Sequence, residues 1–375
     1  MVEAGGGHKS PAMAIRDSLE EHHPGAYDLR LIDFFKEIGC SRIDMQLKQF
    51  WDFLLAHPFL CKASFYAEEL LRPLVLAWRA FYLKPALSKL YEYLRSNDAD
   101  LVFSTHFFVA YLFAKIKRAH HLRYTLINMD SDPFDIHLWW VLKTVDEYIV
   151  NSEEAKGKLI SKGVPEDILR VFHYPINNKF FRFSHDKNRT LDSLGLARTN
   201  KTLLITFGSQ GVGSLDKYLD AIQEEPIDLN VIIVCGKNRQ QYEHLTAKYS
   251  KRHGRSKMVP LEYVTNMNEI INACDFGFIK PGAATTFEFM SMKKPVILYS
   301  SAVISENGNI RFILKNRLGL YAGHRVGKFM RSLKSLLNDS AYAEFMSNYQ
   351  KCDVRSGSDD IANHIVQILE KGSSA

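Results

Sequence analysis

The chain has 375 residues, of which 46% are hydrophobic and 24% are charged, as in soluble globular proteins. This length exceeds what one ordinary core supports and predicts two domains. The net charge of +6 is too small to indicate nucleic acid binding, and it fits an anionic ligand or an anionic membrane surface equally well.

The cysteines and the hydropathy pattern predict a cytoplasmic protein. The five cysteines are scattered and form no metal-binding or Cys-x-x-Cys pattern, so we expect reduced thiols. The polar sequence MVEAGGGHKS lacks the apolar segment of a signal peptide. No apolar run reaches the ~18 residues of a transmembrane helix, so any membrane contact is predicted to be peripheral.

The chain starts almost within a glycine-rich turn, formed by Gly5, Gly6 and Gly7 and followed by His8. Ser10 is a suitable N-cap, and the pattern predicts a helix over Ala12–Leu19. A glycine turn that opens a helix can hold a phosphate or a sugar. Only four residues precede this turn, where a doubly wound sheet needs a central strand. We therefore expect the natural protein to begin upstream with an apolar strand.

Residues 42–95 have an unusual composition, with eleven aromatic residues and eight Lys or Arg against five Asp or Glu. Helices with an apolar face and a basic face lie in membrane interfaces, where Trp and Tyr serve as anchors. Aromatic residues at helical spacing also form ordinary cores, so this alternative stays open. The membrane interpretation assigns Trp78, Arg79 and Phe81 to the lipid-facing surface.

Polar residues follow the strands predicted in the first half of the chain. The predicted strands are Tyr27–Asp33, Ala99–Ser104, Arg123–Asn128, Val145–Val150 and Leu169–Phe172. His106, Asp130, Asp132 and His137 lie at or just beyond carboxyl ends of these strands, where open α/β sheets collect functional groups. Asp130-Ser-Asp132 could also hold a divalent ion, but we favour a site without metal.

The strand–helix alternation restarts after a polar, irregular segment at 176–200. Thr202–Phe207 is a predicted strand that leads into a turn with Gly208, Gly211 and Gly213, which is the context that gives such spacing meaning. Strands are also predicted at Leu229–Cys235, followed by Asn238, and at Met258–Leu261. An amphipathic helix is predicted at Ile361–Glu370.

The segment 275–309 has the pattern of half a nucleotide-binding βαβ unit. A strand at Phe276–Ile279 leads through Lys280 and Gly282 into a helix containing Thr285, Thr286 and Glu288, and a strand follows at Val296–Tyr299. Backbone amides of such a turn can bind a diphosphate. Thr285 and Glu288 also match a capping box, in which both side chains only satisfy the helix end.

These patterns together predict an α/β fold with two Rossmann-like doubly wound domains facing a cleft. The expected boundaries are 1–175 for an acceptor- and membrane-facing domain, 176–200 for a linker, 201–352 for a UDP-sugar-binding domain and 353–375 for a C-terminal helix. Nucleotide-sugar glycosyltransferases of GT-B architecture have this organisation. The non-hydrolysing sugar-nucleotide 2-epimerases share it.

Several motifs recur together and in one order: GGGHKSPAMAI, DLVFSTH, the segment from Asp132 to Val150, CGKN, and KPGAATTFEF with a later Pro and Asn309. In this combination the chain resembles monogalactosyldiacylglycerol synthases and processive diacylglycerol glucosyltransferases. These are relatives of the peptidoglycan N-acetylglucosaminyl transferase. The resemblance implies transfer of galactose or glucose from a UDP-sugar to diacylglycerol, with inversion and with no metal or other cofactor.

The resemblance also implies roles for individual residues. His8 stands where the family has its proposed general base, and Glu288 stands where the family binds the ribose hydroxyls. If His8 is not the base, the role would pass to Asp130, Asp132 or His137. The expected substrate-binding residues are Gly6, Gly7, His106, Gly208, Gln210, Gly211, Gly213, Asn238, Lys280, Gly282, Thr285, Thr286, Glu288, Ser305, Glu306 and Asn309.

The chain departs from the family pattern at two positions. Ala283 replaces a glycine and narrows the backbone's approach to a ligand, and Ser305 replaces a glutamine that contacts the donor sugar. The identity of the hexose is therefore open. A peptidoglycan-type transferase, an epimerase and a non-catalytic UDP-sugar-binding protein are the alternatives.

Overall fold

The computed structural model describes residues 1–2, 6–182, 186–207, 215–249 and 254–373. It divides into two compact units, each built on one parallel β-sheet. The N-terminal unit comprises Met1–Asn177, Ala302–Gly308 and Ser356–Ala375, and the C-terminal unit comprises Asn178–Ser301 and Asn309–Arg355. The predicted α/β class with two parallel sheets is confirmed.

The N-terminal unit contains a sheet of four parallel strands in the order β1-β2-β3-β4. The two central strands are buried on both faces, which explains why their sequences lack polar alternation. The strands are β1 (Leu101–Ser104), β2 (Thr125–Met129), β3 (Glu147–Val150) and β4 (Leu169–Val171). The helices are α1 (Lys9–His22), α2 (Phe34–Glu37), α3 (Ser41–Ala56), α4 (Pro58–Leu70), α5 (Arg72–Tyr82), α6 (Lys84–Ser96), α7 (Phe107–His120) and α8 (Glu153–Ser161).

The aromatic and basic segment forms the four consecutive helices α3 to α6. Pro58, Pro73 and Pro85 each stand in the first two positions of a helix, where the missing N–H group has no intrahelical partner to lose. The prolines therefore divide one long apolar stretch into short helices rather than allowing one continuous helix. None of the helices in the described residues is long and apolar enough to cross a membrane.

The strand predicted at Tyr27–Asp33 does not form. Residues 28–33 belong to no strand, and Met1 makes backbone hydrogen bonds at their end, from its N-terminus to Ile32 (3.3 Å) and from Phe34 to its carbonyl (2.9 Å). The segment alternates charged and apolar residues, which suits an exposed edge rather than the buried centre of a parallel sheet. The prediction of a second strand was therefore wrong.

The C-terminal unit contains six parallel strands in the order β10-β9-β8-β5-β6-β7. The strands are β5 (Lys201–Thr206), β6 (Leu229–Val234), β7 (Lys257–Leu261), β8 (Phe276–Ile279), β9 (Val296–Leu298) and β10 (Gly319–Tyr321). This is a doubly wound order: from β5 the strands are added first on one side of the sheet and then, from β8 on, on the other side, so the order reverses between β5 and β8. Ligands of such sheets bind beyond the carboxyl ends of the two strands at that reversal.

Helices cover this second sheet and extend into the predicted linker. Residues 176–200, predicted to be irregular, contain a 3-10 turn at Asn178–Phe180 and the helix α9. The helices of this unit are α9 (Lys187–Ser193), α10 (Asp216–Glu224), α11 (Arg239–Tyr249), α12 (Met267–Ala273), α13 (Ala283–Ser291), α14 (Glu306–Lys315), α15 (Val326–Leu337) and α16 (Asp339–Lys351), and the last helix of the chain is α17 (Ser358–Ser373).

The terminal helix α17 belongs to the N-terminal unit. It packs along α1, where Ser18 Oγ donates a hydrogen bond to Asp359 Oδ1 (2.6 Å). His364 Nε2 also lies 2.5 Å from Glu147 Oε2 on β3. Apolar residues of α17, among them Ile361 and Ile365, join the core on that face of the first sheet.

Candidate functional site

His8 lies in the turn before α1 and is fixed by the end of β1. Its Nδ1 is 2.6 Å from the Thr105 carbonyl oxygen, and Thr105 Oγ1 donates a hydrogen bond to the His8 carbonyl (2.8 Å). A carbonyl oxygen can only accept, so Nδ1 carries the ring proton in the neutral side chain. Nε2 is therefore the nitrogen with the free electron pair. Because His8 itself precedes the first helical residue, the expected cap at Ser10 lies inside the helix instead.

The environment of His8 keeps the ring uncharged at neutral pH. The side chain is half-buried, and burial lowers its pKa to about 4, although the Asp132 carboxylate and the Thr105 carbonyl act in the opposite direction. Ser131 Oγ is 2.9 Å from His8 Nδ1. The ring also contacts His106, at 4.7 Å between ring centroids.

The two carboxylates that follow β2 have different environments. Asp130 is buried and accepts a hydrogen bond from the Asp132 backbone N–H (2.8 Å), while its Oδ2 has no partner among the described residues. Burial and repulsion from Asp132 raise the pKa of Asp130 well above its ordinary value. Burial would raise the pKa of Asp132 too, but His137 and Trp140 lower it below the ordinary range. Asp132 is thus the charged member of the pair.

A short 3-10 turn, Leu138–Trp140, holds Asp132 in place. Trp140 Nε1 donates to Asp132 Oδ2 (2.8 Å), and His137 Nε2 lies 3.5 Å from the same oxygen. Protein groups thus contact one oxygen of each carboxylate, Asp130 Oδ1 and Asp132 Oδ2. No group of three or more His, Cys, Asp or Glu side chains in the described residues is arranged to hold a metal ion.

His106 has a structural role in addition to its position near His8. It is the N-cap of α7, and its Nδ1 accepts a hydrogen bond from the Phe108 backbone N–H (3.2 Å). Burial lowers the pKa of His106 well below its ordinary value. The ring is therefore neutral with the proton on Nε2, a donor rather than a base.

Sequence reasoning missed two side chains of this cluster, Ser131 and Trp140. Both stand beside predicted residues, Ser131 between the two aspartates and Trp140 three positions after His137. Polar residues directly after a parallel strand were the only signal for Ser131, and nothing in the sequence distinguishes Trp140 from its neighbour Trp139. Gly6 and Gly7 are exposed, and an added Cβ would meet no atom within 4 Å at either position.

Helices α3 to α5 expose an unusual number of large apolar side chains. We call this surface the apolar helical face. The exposed fractions reach 84% for Phe59, 83% for Leu70 and 80% for Phe81. The face consists of Met45, Phe50, Phe53, Phe59, Leu60, Tyr66, Leu70, Leu71, Leu74, Trp78 and Phe81. Large apolar side chains exposed in this number on consecutive helices indicate an interaction site, either with a membrane or with another macromolecule.

Arg79 does not belong to that face, contrary to prediction. It is 7% exposed, and its guanidinium carbon lies 4.0 Å from the ring centroid of Tyr111 and 5.8 Å from that of Trp139. Trp78 and Phe81, on the other side of α5, are exposed. A helix has only one outward side, so residues adjacent in sequence point in different directions. The helix-core alternative therefore applies to Arg79, whereas Trp78 and Phe81 are exposed and their contact with lipid stays a prediction.

In the C-terminal unit, the turn after β8 contains polar groups without partners. Gly282 is the N-cap of α13, Asn309 Nδ2 donates to the Pro281 carbonyl (2.8 Å), and Thr286 lies in the first turns of the helix. Asn309 Oδ1 and Thr286 Oγ1 are buried and have no hydrogen bond partner among the described residues. Buried polar atoms normally have a hydrogen bond partner, so these two oxygens are candidates for contact with a polar ligand.

The helix start also decides between the two interpretations of Thr285 and Glu288. Because α13 begins at Ala283, Thr285 is its third residue and cannot be the N-cap residue that a capping box requires. The capping interpretation is wrong. Lys280, in the turn before the helix, is half-buried.

Other predicted donor-site residues have partners within the protein or lie outside the description. Asn238 Oδ1 accepts a hydrogen bond from the Gln241 backbone N–H (3.0 Å) at the start of α11. Glu306 Oε2 accepts one from the Ala302 N–H (2.7 Å), and Ser305 is buried. The residues Gly208, Gln210, Gly211 and Gly213 lie outside the described ranges.

The segment from Ala302 to Gly308 packs in the N-terminal unit. Ala302 and Val303 contact Leu54 and Cys61 of α3 and α4. At Gly308 a Cβ would come within 2.6 Å of Phe134 Cβ and 3.0 Å of Asp135 Oδ2. Only glycine allows this close approach to the loop that carries Asp132 and His137.

Two family models match the chain. Residues 8–176 match the model for monogalactosyldiacylglycerol (MGDG) synthase, and residues 202–305 match the glycosyltransferase family 28 C-terminal domain. The first match contains the His8 cluster and the apolar helical face. The second contains the turn after β8 and most of the second sheet.

Individual relatives and a solved structure agree with these matches. A probable chloroplastic monogalactosyldiacylglycerol synthase of Nicotiana tabacum is 26% identical over 353 residues, which cover 90% of this chain and 62% of the tobacco protein. A processive diacylglycerol beta-glucosyltransferase of Bacillus cereus (strain AH187) is 25% identical, over 97% of this chain and 90% of that protein. The chain therefore spans less than two thirds of the tobacco relative's length.

The fold is similar to that of Anabaena HepE, whose crystal structure is in complex with UDP-glucose. The TM-score is 0.52 at 17% sequence identity, covering 78% of this chain and 82% of that one. At this identity the likeness concerns the fold alone. The chain joins a segment that matches the MGDG synthase model to one that matches the glycosyltransferase family 28 C-terminal domain, and the predicted resemblance to diacylglycerol glycosyltransferases is confirmed.

Proposed function

We propose that this protein is an inverting glycosyltransferase that moves galactose or glucose from a UDP-sugar to the free hydroxyl of diacylglycerol at a membrane surface. The observation that carries the proposal is the tautomer of His8. The Thr105 carbonyl holds the proton on Nδ1, so Nε2 faces the reaction as a base with a free electron pair.

In this mechanism His8 Nε2 removes the proton from the acceptor hydroxyl as its oxygen attacks the anomeric carbon. The bond from that carbon to the UDP oxygen breaks, and UDP leaves with the electron pair. The imidazolium formed on His8 is stabilised by the negative charge of Asp132, which already acts on the ring in the resting protein. Asp130, whose raised pKa favours the neutral acid, shapes the loop rather than serving as the base.

The donor nucleotide is assigned to the crevice between β5 and β8, at the reversal point of the second sheet. The N-terminus of α13 stabilises the charge that develops on the leaving diphosphate, and no metal is required for this step. Thr286 and Asn309 offer buried, unpaired oxygen atoms next to the same turn. Glu288 does not belong to a capping box, and its carboxylate is proposed to accept hydrogen bonds from the ribose hydroxyls.

The acceptor is assigned to the apolar helical face because diacylglycerol resides in a bilayer. About 25 cal/mol are gained per Å² of apolar surface removed from water, so insertion of side chains such as Phe59 and Phe81 is favourable. Exposed cations at Arg42 and Lys84, at the two ends of the helices, are proposed to favour an anionic lipid surface. The protein would then be cytoplasmic and bind the membrane peripherally.

A turnover assay tests the proposal. The protein is incubated with UDP-galactose or UDP-glucose and with vesicles containing diacylglycerol, and both UDP release and glycolipid formation are measured. We expect glycolipid with inverted anomeric configuration, and turnover lower by about 10²–10⁴-fold for His8→Gln at unchanged UDP affinity.

Other outcomes would replace the proposal by its alternatives. Turnover only with UDP-N-acetylglucosamine and a lipid-linked sugar would identify a peptidoglycan-type transferase. Conversion of the UDP-sugar without lipid would identify an epimerase. UDP binding without any turnover would identify a non-catalytic sugar-nucleotide-binding protein.

A further inference from the structure

Trp139 is contacted from two helices of the apolar helical face. Glu68, on the inner side of α4, has Trp139 as a neighbour: burial raises the pKa of the Glu68 carboxyl, and Trp139 acts in the opposite direction. Arg79, on α5, has its guanidinium carbon 5.8 Å from the Trp139 ring centroid. The Trp78 ring lies 6.5 Å away, edge to face. Trp139 itself is buried. The side chain is thus a point at which the two helices converge.

The residues that flank Trp139 hold the Asp132 carboxylate. Trp140, the next residue, donates to Asp132 Oδ2, and His137 lies 3.5 Å from the same oxygen. Trp140 is also tied to the sheet, since Tyr148 Oη donates to its carbonyl (2.7 Å). A displacement of the 3-10 turn would therefore move the partners of Asp132, the carboxylate that acts on His8.

The same two helices expose apolar side chains on their outer sides. Phe65 and Glu68 lie one turn apart on the inner side of α4, with the Phe65 ring 5.5 Å from that of His137, whereas Tyr66 and Leu70 are exposed. The helices that would touch lipid on one side thus touch the catalytic loop on the other.

The inner sides of α4 and α5 contain buried polar atoms that an ordinary protein core would pair by hydrogen bonds. Arg79 Nε and Nη1 and Glu68 Oε2 are buried and have no hydrogen bond partner among the described residues. Buried polar atoms without partners are unfavourable by about 1–3 kcal/mol each, so an arrangement of α4 and α5 that satisfies them would be preferred. Docking on a surface can supply the restraint that selects such an arrangement.

We propose that Trp139 is a positioning residue that transmits membrane docking of α4 and α5 to Asp132 and His8. Docking restrains the positions of α4 and α5, and these helices restrain Trp139. The position of the 3-10 turn that contains Trp139 then determines where Trp140 and His137 hold the Asp132 carboxylate. Turnover per bound molecule is accordingly higher on a lipid surface than with dispersed acceptor. This inference rests on the proposed function of the same site.

The first test compares two acceptors in the full-length protein. Turnover is measured with diacylglycerol in vesicles and with a short-chain diacylglycerol below its aggregation concentration, both at saturating UDP-sugar. We expect a vesicle-to-monomer ratio of at least tenfold for the wild type. Trp139→Leu should bring this ratio close to one while vesicle binding stays within twofold. Trp139→Phe, which keeps the ring, should restore part of the ratio.

Trp51→Leu on α3 is the matched control. It removes an equally large ring from the neighbouring helix, where Trp51 packs against Leu54 and Cys61 rather than Trp139. The ratio should stay at the wild-type value in this variant. Equal losses of turnover with both acceptors in Trp139→Leu, or a ratio near one in the wild type, would overturn the inference.

The second test does not depend on turnover. Amide hydrogen exchange at residues 137–142 is measured with and without vesicles of anionic and neutral lipids. Docking should slow exchange there at least fivefold in the wild type but not in Trp139→Leu, and thermal melts of each variant confirm folding. Unchanged exchange in vesicle-bound wild type refutes the coupling. Slowed exchange without any glycolipid formation would retain the coupling and reject the proposed function.

Discussion

The pH dependence of turnover is the most direct test of His8. Burial lowers its pKa from 6.5 to about 4, and the neutral ring is the active base. The rate constant kcat/KM should therefore stay level as the pH falls from 7 to 5 and decline tenfold per pH unit below about 4. A histidine of ordinary pKa would leave only about 3% of the molecules unprotonated at pH 5.

The same pKa has a consequence for folding stability. Between pH 6.5 and about 4 the unfolded chain binds a proton at His8 that the folded protein does not bind. The free energy of unfolding therefore rises with pH in this window, and the contribution is lost as the pH falls through it. A pKa difference of 2.5 corresponds to at most about 3 kcal/mol, at 1.36 kcal/mol per pH unit.

His8→Gln separates this contribution from that of other titrating groups, because His106 and the carboxylates remain in both proteins. Denaturant unfolding is measured at pH 7, 6, 5 and 4. The unfolding free energy of the wild type minus that of the variant should fall by up to about 3 kcal/mol as the pH is lowered from 7 to 4. Turnover of the variant should be lower by about 10²–10⁴-fold at neutral pH. An acid limb of kcat/KM centred near 6.5, or a stability difference independent of pH, would contradict the assignment.

Four further predictions concern other parts of the protein. Glu288→Gln should weaken UDP binding in calorimetric titrations and leave the melting temperature unchanged, whereas a purely structural role would reverse this. Gly308→Ala should destabilise the protein by about 1–3 kcal/mol through the clash of its Cβ, measured by denaturant unfolding. Replacing Trp78 and Phe81 together by serine should reduce flotation with vesicles at unchanged stability. Arg79→Ala should instead lower the unfolding free energy, because it removes packing against two aromatic rings, and equal flotation losses for both changes would argue against this division.

Most of the strands could be predicted because each consists of a continuous apolar run that is buried on both faces. Leu229–Val234 is an example, since all six residues are buried. Tyr27–Asp33 has the composition of a strand but pairs with none, because pairing depends on residues distant in sequence. The three-residue strand Gly319–Tyr321 was missed because its length carries no periodicity.

The candidate site could be predicted only in part, because its geometry joins separate strand ends. The polar residues after β1 and β2 were identifiable from their positions. Thr105 fixes the tautomer of His8 through the approach of two segments that are 97 residues apart. Trp140 holds Asp132 through a contact between residues that are 8 positions apart. Arg79 was misplaced since composition gives the character of a helix but not which of its sides faces inward.

The division of the chain into units has a consequence for recombination among relatives. The boundary between the units is crossed four times, near residues 177, 301, 308 and 355. A chimera made with one junction between the sheets would pair α17 and the Ala302–Gly308 segment of one parent with the N-terminal unit of another. Exchange of donor preference between relatives should therefore require four junctions, or repair of the contacts at Gly308 and α17 after a single cut.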